Sequence, residues 1–164
     1  MAAMREPVSI EDYVAIQRLV NRYVDAVIHR NGVQWTSCWD EHAVWDLGGG
    51  HLVEGRDAIS GLWYRAMAGM TAVVQHVHNG DAWYDGDDRS EAEGRWAVSE
   101  RFSTSNGDRG LLLAHYDDCY RKTEDGWLFS RRLLQVHYRG APDLSGEFTN
   151  TRAGLEARGL VVDI

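Results

Sequence analysis

The chain has 164 residues, of which 44% are hydrophobic and 26% are charged, and it contains seven Trp and seven Tyr. This length fits one domain around a single hydrophobic core, and the composition excludes disordered and collagen-like proteins. The 25 acidic and 17 basic residues give a net charge of −8, which repels phosphate backbones and argues against nucleic-acid binding. Lys122 is the single lysine and lies in a polar turn, which excludes lysine Schiff-base and P-loop chemistry.

The N-terminus and the two cysteines indicate the compartment. Residues 1–13 lack the apolar run of a signal peptide, and no stretch of the sequence approaches the roughly 18 apolar residues of a membrane span. We therefore expect a cytoplasmic protein with no membrane partner. Cys38 and Cys119 form no CxxC motif, so in a reducing compartment they are predicted to be buried free thiols.

The first part of the chain is predicted to be mainly helical. Ser9 and Asp12 form a capping-box pattern, and apolar residues at helical spacing continue to about Arg30, where Asn31 and Gly32 end the helix. The next predicted elements are a short helix, a strand, a glycine turn, a return strand and a second amphipathic helix, over 33–39, 42–47, 48–50, 51–54 and 56–70.

The second part of the chain is predicted to be an antiparallel meander. Three Asp-Gly or Asn-Gly turns join four strand-like runs, over 71–84, 90–103, 111–122 and 127–138. Helices first and strands second indicate the α+β class, with N-terminal helices packed on a curved antiparallel sheet. We expect a single domain over 1–164, with a core over about 10–138 and a C-terminal extension over 139–164 that forms a loop and a helix near 152–158.

Several polar side chains fall on apolar faces of the predicted elements. Alternate residues of a strand share a face, so Glu100 lies with Trp96 and Phe102. The polar side chains predicted in this way to face inward are Tyr23, His76, His78, Glu100, His115, Asp117 and Arg132. Burying a lone charge costs several kcal/mol, so these groups need partners.

Two interpretations of these inward groups remain open. One pairs Glu100 with Arg132 as a structural ion pair inside the sheet. The other is a polar-lined cavity in which a carboxylate has a raised pKa or a histidine is tuned. Inward polar groups on several strands favour the cavity.

Five local stretches, in this order and spacing, resemble a known family. They are AIQRLVNRY over 15–23, WDEHAVWD over 39–46, QHVHNGDAW over 75–83, EGRWAVSERF over 93–102 and YRKTEDGWLFSRR over 120–132. Over about 10–138 the chain resembles the SnoaL-like group of the NTF2-like superfamily, which includes polyketide cyclases, scytalone dehydratase and bile acid 7-alpha-dehydratase. The resemblance implies an NTF2-like cone, a cystatin-like α+β barrel. This fold hosts dehydratases, isomerases, cyclases and binding proteins, so it is less specific for the reaction.

The resemblance also implies roles for individual residues. His76 matches the catalytic histidine of the dehydratases, Tyr23 a pocket tyrosine, and Glu100 an acidic residue of the bile acid dehydratase. The substrate-binding positions implied in the same way are His115 and Asp117, near polar groups of scytalone dehydratase, and Arg132, which resembles the pocket arginine of the dehydrochlorinases.

The chain departs from the family at the end of the first helix. The family usually has there an Asp that partners the catalytic histidine, and the matching residue here is Ile28. A His–carboxylate dyad would have to be rebuilt with Asp25, Glu100 or Asp117, and otherwise that chemistry is absent.

The main functional hypothesis is a cofactor-independent lyase or isomerase acting on a hydrophobic ring substrate of polyketide, steroid or aromatic type. His76, oriented by Glu100, takes a proton alpha to a carbonyl, and Tyr23 donates a hydrogen bond to the enolate oxygen or the leaving hydroxyl. The residues expected to bind the substrate are His78, Trp96, His115, Asp117 and Arg132.

Two other hypotheses remain. A binding protein without catalysis is favoured by Ile28 at the family's Asp position. A metal enzyme would use His76, His78 and His115, but two histidines two residues apart are a weak signal, so we expect no metal and a structural His78.

The resemblance further implies a homo-oligomer, a trimer or a dimer, whose sheets pack face to face. An apolar outward sheet face is consistent with such packing. The residues predicted to form it are Leu112, Ala114, Tyr116 and Tyr120.

Overall fold

Three helices and two shorter strands precede the four long strands, which gives the α+β order that the sequence predicts. The computed structural model describes residues 5–149 and 151–157. The helices are α1 (Ile10–His29), α2 (Gly32–Thr36), α3 (Arg56–Ala68) and α4 (Arg152–Ala157), and the strands are β1 (Trp39–Asp46), β2 (Leu52–Glu54), β3 (Met70–Tyr84), β4 (Glu91–Thr104), β5 (Arg109–Thr123) and β6 (Gly126–Gly140). The last predicted helix ended at Arg158, which lies outside the described residues.

The six strands form one curved, open sheet in the order β2-β1-β6-β5-β4-β3. All neighbouring strands are antiparallel except β1 and β6, which run parallel. The meander of four long strands is confirmed, and Gly126, with φ of 117°, forms the tight turn between β5 and β6. None of the described helices is long and apolar enough to cross a membrane.

The start of α1 is fixed to the sheet through Asp12. The Ser9 hydroxyl accepts a hydrogen bond from the Asp12 N–H at 3.1 Å, as the capping pattern predicts. The Asp12 carboxylate is buried and accepts hydrogen bonds from Tyr84 at 2.7 Å, Lys122 at 2.8 Å and Trp127 at 2.9 Å. One carboxylate therefore connects α1 to β3, β5 and β6.

A bulge in β6 changes which of its residues face the helices. The register with β5 shifts at Ser130, an extra residue without a directly opposite partner. Phe129 before the bulge and Arg132 after it are both fully buried, so they face the same side. Arg132 faces inward as predicted, but strict alternation along β6, which would turn Phe129 to the other side, fails at the bulge.

Two other strands present the opposite face from the one predicted. In the first half of β3 the buried residues are Val73 and Gln75, and His76 is exposed. In β5 the residues predicted to face outward are buried instead, and they are Leu112, Ala114, Tyr116 and Tyr120. Both strands carry apolar residues at odd and even positions, so alternation alone does not select the inner face. The apolar outward surface predicted for self-association is thus not available in β5.

An aromatic cluster joins the helices to β1 and β6 on the inner side of the sheet. Trp35 stacks on Trp63 with ring centroids 4.9 Å apart, and Tyr23 lies 5.3 Å from Trp35 and 5.7 Å from Phe129. Aromatic pairs of this kind contribute about 0.5–1.5 kcal/mol beyond the area that they bury. This cluster holds Tyr23 in place beside the cavity described next.

The two cysteines are free thiols, as predicted. Cys38 is fully buried, and burial raises the pKa of its thiol to about 11. Cys119 is half-buried on the outer side of β5.

Candidate active site

A cavity of about 110 Å³ lies between α1, α3 and the inner face of the sheet. Its apolar wall includes Val27, Trp45, Trp63, Met67, Leu112 and Leu134, and its polar groups belong to Tyr23, Gln75, Glu100, Tyr116 and Arg139. Of the groups predicted to converge, Tyr23 and Glu100 meet here.

Glu100 brings a carboxylate into this cavity. Gln75 lies directly opposite on β3, and its side-chain NH₂ donates a hydrogen bond to Glu100 Oε2 at 2.9 Å. Burial raises the pKa of Glu100, although the hydrogen bond from Gln75 and the charge of Arg139 act in the opposite direction. A carboxylate in this setting is a stronger base than one in water.

Two tyrosines line the cavity next to Glu100. The rings of Tyr23 and Tyr116 contact edge to face, with centroids 6.2 Å apart. Burial raises the pKa of both hydroxyls, and the charge of Glu100 raises it further. Both tyrosines therefore stay protonated at neutral pH. Their hydroxyls also hydrogen-bond to each other, and since each has one proton, this pair offers one free donor to a bound molecule.

A buried cation lies behind these tyrosines. The guanidinium carbon of Arg132 is 4.2 Å from the ring centroid of Tyr23 and 3.8 Å from that of Tyr116. Arg132 donates two hydrogen bonds to Asp118, at 2.9 and 3.0 Å, and both side chains are 0% exposed. The predicted pair of Glu100 with Arg132 is thus wrong, because Arg132 pairs with Asp118. The charge of Arg132 attracts negative charge that forms near either hydroxyl.

Trp96 belongs to the support of this ion pair. Its indole N–H donates to the Tyr120 hydroxyl at 2.8 Å, and that hydroxyl donates to Asp118 at 3.0 Å. Trp96 is 2% exposed and is not part of the cavity wall. The structure therefore places it one layer behind the site, although the sequence predicts that it binds the substrate.

His76, His78 and Asp25 lie outside the cavity, contrary to the predicted convergence. His76 is exposed on the outer face of β3, because Gln75 occupies the inward position. His78 is on the same outer side and forms a hydrogen bond with the Ser99 hydroxyl at 2.9 Å, as expected of a structural histidine. Asp25 is on the exposed side of α1 and pairs with His29 at 3.1 Å.

His115 and Asp117 also face the outer side, where they belong to a polar network. His115 lies 2.7 Å from His137 and 3.2 Å from Asp117, and Asp117 pairs with Arg95 at 2.6 Å. Burial would raise the pKa of Asp117, but the hydrogen bonds from His115 and Arg95 lower it to about 2. His115 and Asp117 share one face of β5, as predicted, but this face is the outer one and does not line the cavity.

A larger cleft of about 400 Å³ opens on this outer side. Its charged side chains include ion pairs, with Arg5 3.2 Å from Glu93 and Arg95 2.6 Å from Asp117. Paired surface ions of this kind offer less reactive chemistry than Glu100, whose charge has no salt bridge among the described residues. In the described part of the chain, no group of three or more His, Cys, Asp or Glu is arranged to hold a metal ion.

Sequence reasoning missed three polar residues of the cavity. Gln75 precedes His76 in the motif QHVHNGDAW, and its burial follows from sharing a face with Val73. Tyr116 was assigned to the wrong face of β5. Arg139 lies one residue beyond the predicted core, since β6 continues to Gly140.

The SnoaL-like domain family matches residues 8–133, which is more than half of the chain. No curated protein sequence is significantly similar to it. A proposed aromatic ring hydroxylase from Novosphingobium aromaticivorans is structurally similar, with a TM-score of 0.75, 23% identity and coverage of 81% of this chain and 94% of that one.

Two further solved structures are similar to this chain and have the NTF2-like fold. One is a proposed scytalone dehydratase from Novosphingobium aromaticivorans, with a TM-score of 0.71, 20% identity and coverage of 85% of this chain and 91% of that one. The other is the hexachlorocyclohexane dehydrochlorinase LinA of type 2, with a TM-score of 0.71, 18% identity and coverage of 85% and 93%. At these identities the likeness establishes the fold.

Proposed function

The chain belongs to the SnoaL-like domain family, and we propose that it is a cofactor-independent acid/base enzyme, a dehydratase or an isomerase or cyclase, acting on a small hydrophobic ring substrate. The observation that carries the proposal is a partly buried carboxylate without a salt bridge among the described residues, next to two protonated tyrosines in an apolar cavity. Scytalone dehydratase and a dehydrochlorinase among the structural neighbours support a lyase.

Glu100 is the general base in this proposal. Its raised pKa makes the carboxylate a better acceptor for a proton alpha to a substrate carbonyl. Gln75 holds the carboxylate in place, because its NH₂ group donates to Oε2. The base is thus a residue that the sequence predicts as the partner of His76.

Tyr23 and Tyr116 stabilise the charge that the proton transfer creates. When the Cα–H bond breaks, its electron pair forms an enolate, whose oxygen accepts a hydrogen bond from the free donor of the tyrosine pair. Arg132 behind the rings favours this negative charge. In a dehydration, the enolate then expels the β-hydroxyl, which leaves as water with the proton that Glu100 took.

Substitution of Glu100 tests this mechanism. We expect Glu100→Gln to lower kcat by about 10²–10⁴-fold, the usual contribution of a general base, in a dehydration assay of β-hydroxy ketones that follows enone absorbance. His76→Ala, on the outer face, is the matched comparison and is expected to retain turnover. Loss of turnover in His76→Ala together with full activity in Glu100→Gln contradicts the proposal.

A protein that only binds its ligand is the second candidate. It is favoured by Ile28 at the family's Asp position and by a described cavity wall that contains no histidine. For such a protein, the wild type binds ring ketones without converting any of them, and Glu100→Gln changes affinity alone.

A further inference from the structure

The cavity wall contains buried polar atoms that have no partner among the described residues. They are the side-chain oxygen of Gln75, which is 3% exposed, and the indole N–H groups of Trp45 and Trp63. Folded proteins rarely leave a buried donor or acceptor without a partner. The indole N–H groups of Trp35 and Trp39 also have no partner among the described residues, and neither residue is in the cavity wall, so the side-chain oxygen of Gln75 is the atom that indicates a ligand in the cavity.

From these atoms we propose that the cavity takes a single-ring hydroxy ketone, and that Gln75 selects it by accepting a hydrogen bond from the substrate hydroxyl. This inference rests on the proposed function, since it names the substrate class of the same site. Gln75 would be a specificity residue in contact with substrate.

The volume of the cavity limits the size of the substrate. A space of about 110 Å³ is below the roughly 150 Å³ of an engineered cavity that holds benzene, and far below the ~300 Å³ of the smallest drug-sized sites. One six-membered ring fills it after small side-chain shifts, with substituents extending toward the exposed Arg139. Steroids and fused-ring polyketides, which the sequence left open, do not fit.

The orientation of the Gln75 amide determines which group the ligand must offer. Its NH₂ side faces the Glu100 carboxylate, which can only accept, so the oxygen side remains free to accept a hydrogen bond. A hydroxyl on the ligand satisfies it. The same amide then holds the substrate hydroxyl and the base side by side.

The remaining groups of the wall are donors. Trp45 and Trp63 each carry an N–H that can donate to a ligand oxygen, and the pair of Tyr23 and Tyr116 has one free O–H that can do the same. A carbonyl oxygen suits these donors, whereas a carboxylate on the ligand is repelled by Glu100. The donor and acceptor pattern therefore matches a neutral ring with one hydroxyl and one carbonyl.

Isothermal titration calorimetry with phenol and anisole tests the role of Gln75. Both probes have one ring and one oxygen, only phenol can donate a hydrogen bond, and neither can lose water, so the result does not depend on turnover. We expect the wild type to bind phenol about 10-fold more tightly than anisole, and Gln75→Met to abolish this preference with little change for anisole.

Controls make the outcome specific. Gln135→Met makes the same exchange on the outer side of β6 and is expected to keep the preference. If Gln75→Met does not fold, Gln75→Asn shortens the same amide and is expected to weaken phenol binding selectively. Equal binding of phenol and anisole to the wild type, no binding of phenol, or binding of progesterone as tight as that of phenol overturns the inference, whereas the Glu100→Gln turnover assay decides the proposed function separately.

Discussion

Glu100, which is partly buried, differs from the buried acids in how its charge is balanced. Asp118 has the guanidinium of Arg132, and Asp12 has the ammonium of Lys122. Glu100 is held by a neutral amide at 2.9 Å and has no salt bridge in the described part of the chain. Burial raises the pKa of both Asp118 and Glu100, but the guanidinium of Arg132 opposes this at Asp118, whereas at Glu100 the direct hydrogen-bond partner is neutral.

The raised pKa of Glu100 predicts a specific stability profile. The folded protein binds this proton more tightly than the unfolded chain, so the stabilisation is complete below the unfolded pKa and is lost as the pH rises through the folded pKa. Glu100→Gln cannot ionise, so we expect it to be more stable than wild type at pH 7. Urea denaturation at pH 7 and pH 4 measures this, and a variant less stable than wild type at pH 7 contradicts it.

Removal of Arg132 is expected to destabilise the protein strongly. Arg132→Met leaves the charge of Asp118 buried without a counterion, which costs about 3–5 kcal/mol. Arg131→Met is the matched control, because its neighbouring guanidinium is half exposed and pairs with Asp46, and its loss is expected to cost under about 1 kcal/mol. Thermal unfolding of the two variants compares them, and equal losses refute the expectation.

At the scale of elements, helices were easier to predict than strand faces. The helical spacing of α1 places Tyr23 on its buried stripe, and Ser9 caps the helix as expected. Strands β3 and β5 have apolar residues at both odd and even positions, so the sequence does not show which face of each strand is buried. Packing against α1 decides which face becomes the inner one. The bulge at Ser130 moves the inward-facing positions of β6 from odd to even residue numbers, and no local sequence signal predicts this bulge.

The connection of α1 to the sheet through Asp12 also has a pH signature. Burial would raise the pKa of Asp12, but the hydrogen bonds from Lys122, Tyr84 and Trp127 lower it. Its stabilisation is therefore present above the unfolded pKa of about 3.9 and is lost as the pH falls through the folded pKa. We expect Asp12→Asn to lose about 1–3 kcal/mol at pH 7, and the difference from wild type to shrink in acid.

Chemical denaturation at pH 7 and pH 3 measures this effect. Asp125→Asn, at an exposed position in the turn between β5 and β6, is the matched control and is expected to be neutral. A pH-independent loss in Asp12→Asn means that its carboxylate charge is not responsible.

For the whole molecule, the two sides of the sheet have different chemistry. The inner side holds the cavity, with Glu100 bonded to Gln75, and the fully buried pair of Arg132 with Asp118. The outer side holds more exposed ion pairs and histidines, such as His115 with Asp117. The fold and the family could be predicted from the sequence, because the order and spacing of the helices and strands are enough to identify them. The site could be predicted only in part, since His76 and Gln75 are adjacent residues, and one step along the chain decides which of them faces the cavity.

The bulge at Ser130 affects which changes in the length of β6 leave the facing of its residues intact. Arg131 points outward to Asp46 and Arg132 inward to Asp118, and Ser130 is the extra residue between Phe129 and this pair. Deletion of Ser130 would make Phe129 and Arg131 adjacent in a regular ladder with β5, in which Phe129 and Arg132 still face inward and Arg131 outward. The gene can therefore lose this one codon without exchanging the two arginines.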